Sequence, residues 1–334
     1  MVYHLIGSGS HDQTSRDLTH MTEISAARAS RPRRILAGLV WIAWSLGVIA
    51  TALAFTAPWI PAFDLINDAR PFGALAAVAL FLVALALREW RLIRPTAALA
   101  LLHAGLLLLP WGRAADAASN APVALRLLTL DLPSDSGRFD DIADFVLASG
   151  ADIVLLQNVS CSAADRLIPR LRPTFPNAYV SAEGCAGQAL LAKRSWVAIG
   201  QVITMTRKPL LIWARFQWNA SAFNLTGVRL AGPLAPNEQA SDLERLRQHL
   251  STQGPAQIVA GILNLTPFAW KFAQLNNAGL GQHATYRATW PAERPVLLMD
   301  NVLSSADIAS VRVTVGPPLG AAHRPLIADI ALPK

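Results

Sequence analysis

The chain has 334 residues, of which 53% are hydrophobic and only 15% are charged, and its mean hydropathy is +0.35. Soluble domains carry roughly 25% charged residues, so this composition excludes a disordered chain and argues against a wholly soluble protein. The net charge of +7 includes no dense basic run in the C-terminal part, and the two cysteines exclude a multi-cysteine metal centre.

The N-terminal third is predicted to be a membrane region. Residues 1–34 are predicted to form a flexible cytoplasmic tail, and three uncharged runs follow over residues 35–57, 71–87 and 95–111. The first run is long enough to cross a hydrocarbon core of about 30 Å, and the other two lie at the short end of the spanning range. Arginine-rich separators and boundary aromatics favour three transmembrane helices, and buried core helices are the alternative.

Arginines are distributed unevenly around these runs. Seven of them lie within ten residues before the first run or between the second and the third: Arg28, Arg31, Arg33, Arg34, Arg88, Arg91 and Arg94. The loop between the first two runs has one arginine, Arg70, and two acids, Asp64 and Asp68. The positive-inside rule therefore predicts a cytoplasmic N-terminus and a periplasmic or extracytoplasmic C-terminal domain, anchored in a bacterial inner membrane.

A linker of small residues, 113–122, is predicted to join the spans to this exported domain. Both cysteines, Cys161 and Cys185, fall within the domain. A disulfide between them would persist in an oxidising compartment. Two free buried thiols are the alternative.

From residue 123 onward, short apolar segments alternate with helical patterns. Residues 123–130 and 151–157 are predicted to be buried strands, and the helix between them ends at Gly150. Seven further strands are predicted: QALLAK, PLLIWARFQW, AFNLTGVRL, AQIVAG, PVLLMDNVLSS, ASVRVTV and LIADIAL. A second helix is predicted within residues 236–254, with Ser241 and Glu244 as its capping box. This order indicates an α/β sandwich with mixed sheets.

Eight segments in this order carry a resemblance to a known family. They are LRLLTLDL, GADIVLLQNV, GQALLAKR, LTGVRLAGPL, IVAGILNLTPFAWKF, TYRATWP, LLMDNVLSS and GAAHRPLIADI. The chain resembles the endonuclease/exonuclease/phosphatase superfamily over residues 123–334, and within it the membrane-anchored bacterial branch. The resemblance implies the DNase I-like fold, a four-layer α/β sandwich with two mixed sheets. It also implies hydrolysis of a phosphodiester or phosphomonoester assisted by a divalent cation, usually Mg²⁺.

The resemblance extends to individual positions of the implied active site. Three family residues are retained: Asn264, Asp300 and His323. Five positions are substituted: Asp131 for an asparagine, Asn158 for the metal-ligand glutamate, Arg229 for a phosphate-facing histidine, Ile262 for the general-base aspartate and Ala322 for an aspartate. The last change is expected to leave His323 without the carboxylate that orients it.

These substitutions change the charge of the site. Carboxylates are lost at positions 158, 262 and 322, one is gained at Asp131, and a cation is gained at Arg229. Because a dication would meet a like charge in a partly desolvated pocket, we expect no cofactor and a lost or very weak Mg²⁺ site. If a metal binds, Asp131 and Asp300 are the expected ligands. Arg229 is otherwise expected to pair with one of these two carboxylates.

The sequence therefore favours a membrane-anchored pseudoenzyme that serves as an exported binding or assembly module. Its pocket would hold a small phosphate or another anion through Arg229, His323 and Asn264. A metal-dependent phosphoesterase is the alternative, and a third possibility is that a membrane or periplasmic protein engages the transmembrane region. The lipid bilayer is an expected partner, and nucleic acid is not, because the domain has no basic stripe.

Overall fold

The structure of the protein is a computed structural model. It describes residues 10–108, 122–133, 137–181, 187–204, 209–281 and 286–332, with side chains from Pro32 onward in the first helix. The chain separates into two compact units: residues 1–52 with 71–105, and residues 53–70 with 106–334. The segment between the first two predicted spans thus belongs to the same unit as the C-terminal domain.

Four helices form the N-terminal region. They are α1 (Ser10–Phe55), α2 (Asp64–Asp68), α3 (Arg70–Ala86) and α4 (Trp90–Leu108). Residues 32–55 and 90–108 are long and apolar enough to cross a membrane. A third span is present only if residues 61–68 and α3, which are bent by 59°, count as one. The region therefore provides two candidate spans, or up to three.

The observed helices begin earlier than the predicted spans in two places. Helix α1 begins at Ser10, so the predicted flexible tail is helical from that residue onward. The physical reason is that residues 10–37 contain no glycine and a single proline, Pro32, so few strong helix breakers interrupt the segment. Helix α4 begins at Trp90, before the predicted start at Pro95. Trp111 and most of the predicted linker lie outside the described residues.

Small and polar side chains bring the helices of the first unit together. The Thr51 hydroxyl lies 3.1 Å from His103 Nε2, which links α1 to α4. A Cβ added at Gly47 would lie 3.2 Å from Leu99, so this glycine allows close helix approach. Close packing around small residues and interhelical hydrogen bonds are typical of helices that associate in lipid.

The described part of the C-terminal domain contains all nine predicted strands and two more. The eleven strands are β1 (Leu125–Asp131), β2 (Ile153–Val159), β3 (Asn177–Ser181), β4 (Gly187–Ala192), β5 (Ala198–Ile203), β6 (Pro209–Trp218), β7 (Ser221–Arg229), β8 (Gln257–Ile262), β9 (Asp300–Ser304), β10 (Ser310–Val315) and β11 (Leu326–Ala331). Its helices are α5 (Phe139–Ala148), α6 (Cys161–Leu171), α7 (Pro236–Ser251) and α8 (Trp270–Asn277). The predicted capping box is wrong, because α7 begins at Pro236 and Ser241 lies inside it.

The strands form two mixed sheets. The six-stranded sheet has the order β10-β11-β1-β2-β4-β3, and the five-stranded sheet has the order β5-β6-β7-β8-β9. Each sheet has one parallel pair, β1 with β2 and β7 with β8. The strands carry apolar residues on both faces, as expected when sheets are covered on both sides.

Three apolar clusters hold four layers together. The central cluster packs the two sheets face to face, for example Leu127 and Leu155 with Ile212 and Leu225. A second cluster lies between the six-stranded sheet and helices α5 and α6, and a third lies between the five-stranded sheet and helices α7 and α8. The observed order of helix, sheet, sheet and helix confirms the predicted four-layer sandwich.

Candidate functional site

Strand register brings the predicted site residues to one edge of the sandwich. In the five-stranded sheet, Arg229 pairs with Ile262, and Ile262 pairs with Asp300. In the six-stranded sheet, Asp131 pairs with Gln157, directly before Asn158. Seven of the eight predicted positions line one cavity of about 510 Å³: Asp131, Asn158, Arg229, Ile262, Asn264, Ala322 and His323. The eighth residue, Asp300, is buried outside the cavity lining and is hydrogen-bonded to His323.

The orientation of His323 differs from the expectation. Its Nδ1 lies 2.7 Å from Asp300 Oδ2, and both side chains are buried. The Thr289 hydroxyl donates to the same carboxylate oxygen. His323 therefore has an orienting carboxylate, although position 322 is alanine. The expectation was wrong because the carboxylate comes from β9, 23 residues earlier, and not from the neighbouring position.

The electrostatics of this pair favour a charged imidazole. Burial lowers the pKa of His323, but the hydrogen bond and charge of Asp300 and the charge of Asp131 outweigh it, so the net pKa is raised. Arg229 acts in the opposite direction. With Nδ1 engaged by Asp300, Nε2 is the ring nitrogen left to meet a bound group.

Asp131 is a buried carboxylate with an unsatisfied oxygen. Its side chain is 8% exposed, and Oδ1 has no hydrogen-bond partner. Burial raises the pKa of Asp131 to about 6, Asp300 adds to the increase, and the positive charges of His323 and Arg229 oppose it. A buried polar atom without a partner is costly, so this oxygen indicates a place where a proton or a bound ligand is accommodated.

Arg229 lines the cavity with an exposed side chain. The predicted ion pair of Arg229 with Asp131 or Asp300 is not formed. Among the described residues, neither carboxylate lies within 4.0 Å of the guanidinium. The physical reason is that Asp300 is buried and already accepts hydrogen bonds from Thr289 and His323. The cation therefore faces the cavity and remains available for an anion.

Ile262 occupies the position between the cation and the His323–Asp300 pair. Its side chain is 2% exposed. The preceding residue, Gly261, has φ +130°, and a Cβ there would lie 2.3 Å from the Val228 carbonyl oxygen. Strands β7 and β8 thus approach closely at this point. The cavity wall at position 262 is therefore apolar.

Two asparagines shape the cavity rim. Asn158 and Asn264 both adopt left-handed backbone conformations, with φ values of +56° and +52°, which asparagine tolerates better than most residues. Asn158 Nδ2 donates to the Leu132 carbonyl at 2.9 Å, and Asn264 Nδ2 donates to the Leu230 carbonyl at 2.8 Å. These two hydrogen bonds hold the rim of the cavity to the residues that follow β1 and β7. They use the amide nitrogens and leave the amide oxygens out of the bonds.

The donor set does not match the needs of a Mg²⁺ ion. Such an ion requires hard oxygen ligands, including one or two carboxylates. Asp300 is committed to His323 and Thr289, which leaves Asp131, a carboxylate with a raised pKa. Within the part of the chain that the structure describes, no three His, Cys, Asp or Glu residues are grouped so as to hold a metal. The residues present therefore do not fit a resident Mg²⁺ ion.

Thr289 and the two cysteines complete the description of the site residues. Thr289 lies in the segment TYRATWP, which carries part of the resemblance, but the residue itself was not predicted to contact Asp300, 11 residues later. Cys161 is the first residue of α6. Cys185 lies outside the described residues, so its pairing with Cys161 stays a prediction.

Comparison with known proteins agrees with this geometry. A sequence profile described as the Endonuclease/Exonuclease/phosphatase family matches residues 125–326. No curated protein matches the chain. The matched range begins with β1 and ends at the first residue of β11, and it contains all eight site positions.

Solved structures of low sequence identity share the fold. A humanized D. rerio TDP2 with 14 mutations has a TM-score of 0.51 and 16% identity, over 61% of this chain and 97% of that chain. Sphingomyelinase C from Streptomyces griseocarneus has a TM-score of 0.50 and 17% identity, over 61% and 98%. A mutant beta toxin from Staphylococcus aureus with bound magnesium ions has a TM-score of 0.50 and 11% identity, over 61% and 99%.

Proposed function

The chain belongs to the endonuclease/exonuclease/phosphatase family, and we propose that it is a non-hydrolysing member that binds a phosphate-containing ligand without a metal. The domain would serve as a binding or assembly module on the periplasmic side of a bacterial inner membrane. The candidate spans support anchoring, and the arginine distribution supports this orientation.

The observation that carries the proposal is the side chain at position 262. A general base must lie within hydrogen-bond reach of the water or hydroxyl that it activates. Ile262 has no ionisable group, is almost completely buried, and stands in the row between Arg229 and Asp300. Activation of a nucleophile from this position is therefore chemically impossible.

The remaining polar groups suit an anion. Arg229 supplies an unpaired guanidinium, which binds phosphate oxygens through its planar fork. The Asp300 hydrogen bond favours a protonated His323, which supplies a second positive charge. Below about pH 6, Asp131 is neutral and no longer repels an anion. The cavity of about 510 Å³ has room for a phosphate ester.

A metal-dependent phosphoesterase is the second candidate. The intact His323–Asp300 pair and the unpartnered oxygen of Asp131 favour it. In that case Asp131 would have to hold the ion, and His323 would have to act without the acid that the family carries at position 262. Binding of an anion in the presence of a chelator separates the two candidates.

The test uses the full chain in detergent with a chelator present. Titration with inorganic phosphate and with phenyl phosphate is expected to show saturable binding. Arg229→Gln removes a charge-assisted hydrogen bond of about 1.5–3 kcal/mol, so affinity should fall by roughly ten- to a hundredfold. Arg312→Gln, an exposed change on β10, is the matched control and should bind like the wild type.

Two results would contradict the proposal. Binding that appears only when Mg²⁺ or Mn²⁺ is supplied would favour the phosphoesterase. Equal phosphate affinity in the Arg229 and Arg312 variants would show that phosphate does not bind in this cavity.

A further inference from the structure

A second cavity lies within the unit that contains residues 53–70 and the C-terminal domain. Its volume is about 250 Å³. One wall comes from the end of α1, with Ala54 and Phe55, and another from Leu106 near the end of α4. The segment from Pro267 to Ala273 provides the opposite wall. The lining is apolar except for Asn67 and Arg70.

Arg70 is a half-buried cation in this apolar lining. Its Nη2 donates to Asn67 Oδ1. In the part of the chain that the structure describes, no carboxylate forms an ion pair with it. The charge of the buried Asp64 carboxylate, on the other side of Asn67, offsets only part of the cost of burying this cation. A further anion at the guanidinium would therefore be favourable.

A network of buried groups fixes the direction of this arginine. Asn67 Nδ2 donates to Asp64 Oδ1 at 2.9 Å and to the Ala54 carbonyl at 3.1 Å, so its amide oxygen faces Arg70. Asp64, which is 1% exposed, accepts in turn from the backbone N–H groups of Trp270 and Lys271. The guanidinium is thus held in place before any ligand arrives, which lowers the entropic cost of binding.

The surroundings of the cavity suit the interface between lipid and water. Residue 57 ends the first predicted span, residue 71 begins the second, and Arg70 lies directly between the loop and that second span. Three large apolar side chains near the cavity are exposed: Phe55 at 55%, Trp59 at 78% and Trp270 at 47%. Exposed tryptophans at the ends of spans are typical of the headgroup level of a bilayer.

We propose that this cavity binds the phosphate group of a bilayer phospholipid, with Arg70 as the residue that pairs with the phosphate oxygens. The site is separate from the cavity around His323 and does not depend on the function proposed for it. A volume below the roughly 300–1,000 Å³ of sites that enclose a whole small molecule suits a headgroup whose acyl chains remain outside. The exposed aromatics then contact those chains.

Arg70 could pair with the phosphate of a lipid or with free phosphate, so the experiment uses three probes to distinguish these ligands. The full chain, stripped of lipid in detergent, is titrated with dioleoyl phosphatidylglycerol, with dioleoylglycerol and with inorganic phosphate, and bound species are counted by native mass spectrometry. The phospholipid should bind, dioleoylglycerol should bind much more weakly, and inorganic phosphate should not displace the phospholipid.

Variants connect this binding to Arg70. Arg70→Gln is expected to weaken phosphatidylglycerol binding by roughly ten- to a hundredfold, from the loss of a charge-assisted hydrogen bond. Arg91→Gln is the matched control, because Arg91 is exposed and lies in the loop predicted to be cytoplasmic. Ala273→Phe keeps the arginine but fills the cavity from the opposite wall, so it should also abolish tight binding.

Three results would overturn the proposal. One is equal phospholipid affinity in the wild type and in the Arg70 variant. Another is unchanged affinity in Ala273→Phe, which also decides the case if Arg70→Gln does not fold. The third is displacement of the phospholipid by inorganic phosphate, which would make the cavity a site for free phosphate.

Discussion

Replacing Asp64 with asparagine tests how firmly the loop between the first two predicted spans is attached to the C-terminal domain. The Asp64 carboxylate accepts from Trp270 N at 2.7 Å and Asn67 Nδ2 at 2.9 Å through Oδ1, and from Lys271 N at 3.0 Å through Oδ2. The first two backbone N–H groups of α8 thus use it as an external cap, next to the positive end of the helix dipole.

The magnitude follows from these contacts. An amide can accept through one oxygen only, so Asp64→Asn loses at least one charge-assisted hydrogen bond, worth about 1.5–3 kcal/mol. It also leaves a buried N–H group facing an NH₂ group, which costs about 1–3 kcal/mol more. We expect the unfolding free energy to fall by about 3 kcal/mol, which lowers Tm by roughly 6–12 °C for a domain of this size.

The assay is thermal unfolding of the full chain in detergent, followed by intrinsic tryptophan fluorescence. Asp307→Asn, the same change at an exposed turn, is the control and should stay within about 0.5 kcal/mol of the wild type. If Asp64→Asn melts together with this control, the carboxylate does not cap α8 in solution and the attachment of the loop is refuted.

Three further substitutions test the roles of Asp68, Asp131 and Gly261. Burial raises the pKa of Asp68 from 3.8 to about 7, so this carboxyl binds a proton more tightly in the folded protein than in the unfolded chain. The unfolding free energy should therefore fall as pH rises from about 4 to about 7. Asp68→Asn should flatten the pH dependence of Tm over this range. The pKa of Asp131 is raised to about 6, so phosphate affinity should decrease as pH rises through 6 and Asp131→Asn should weaken that decrease, as titrations at several pH values would reveal. Gly261→Ala should destabilise by at least about 1–3 kcal/mol, because φ is +130° and the added Cβ meets the Val228 carbonyl oxygen; a melting temperature equal to that of the wild type would contradict this.

The central strands could be predicted from the sequence because their physics is local. Strands such as β1 and β2 are short, mostly apolar segments followed by turn residues, and both faces of the sheets are covered. The strands that were missed, β3 and β5, each lie at one edge of a sheet, and most of their residues are only partly buried. Without a buried run, neither periodicity nor hydropathy distinguishes them from loops.

Contacts between distant residues explain the remaining differences. The sequence identifies Asp300 and His323 separately, but their hydrogen bond depends on the approach of β9 and the turn before β11. Asp68 accepts from the backbone and hydroxyl of Thr266, 198 residues away. Its sequence neighbourhood indicates only a polar loop between two spans, so this attachment could not be predicted.

The proposal that Ile262 prevents hydrolysis is tested most directly by a phosphodiesterase assay on the full chain. The substrate is bis(p-nitrophenyl) phosphate, and each protein is assayed with Mn²⁺ and with a chelator. The triple variant carries Asn158→Glu, Ile262→Asp and Ala322→Asp. Its control carries the same changes at positions 158 and 322, with Ile262→Asn in place of Ile262→Asp. We predict no turnover by the wild type or the control, and metal-dependent turnover by the triple variant. Chelator-sensitive turnover by the wild type would contradict the account.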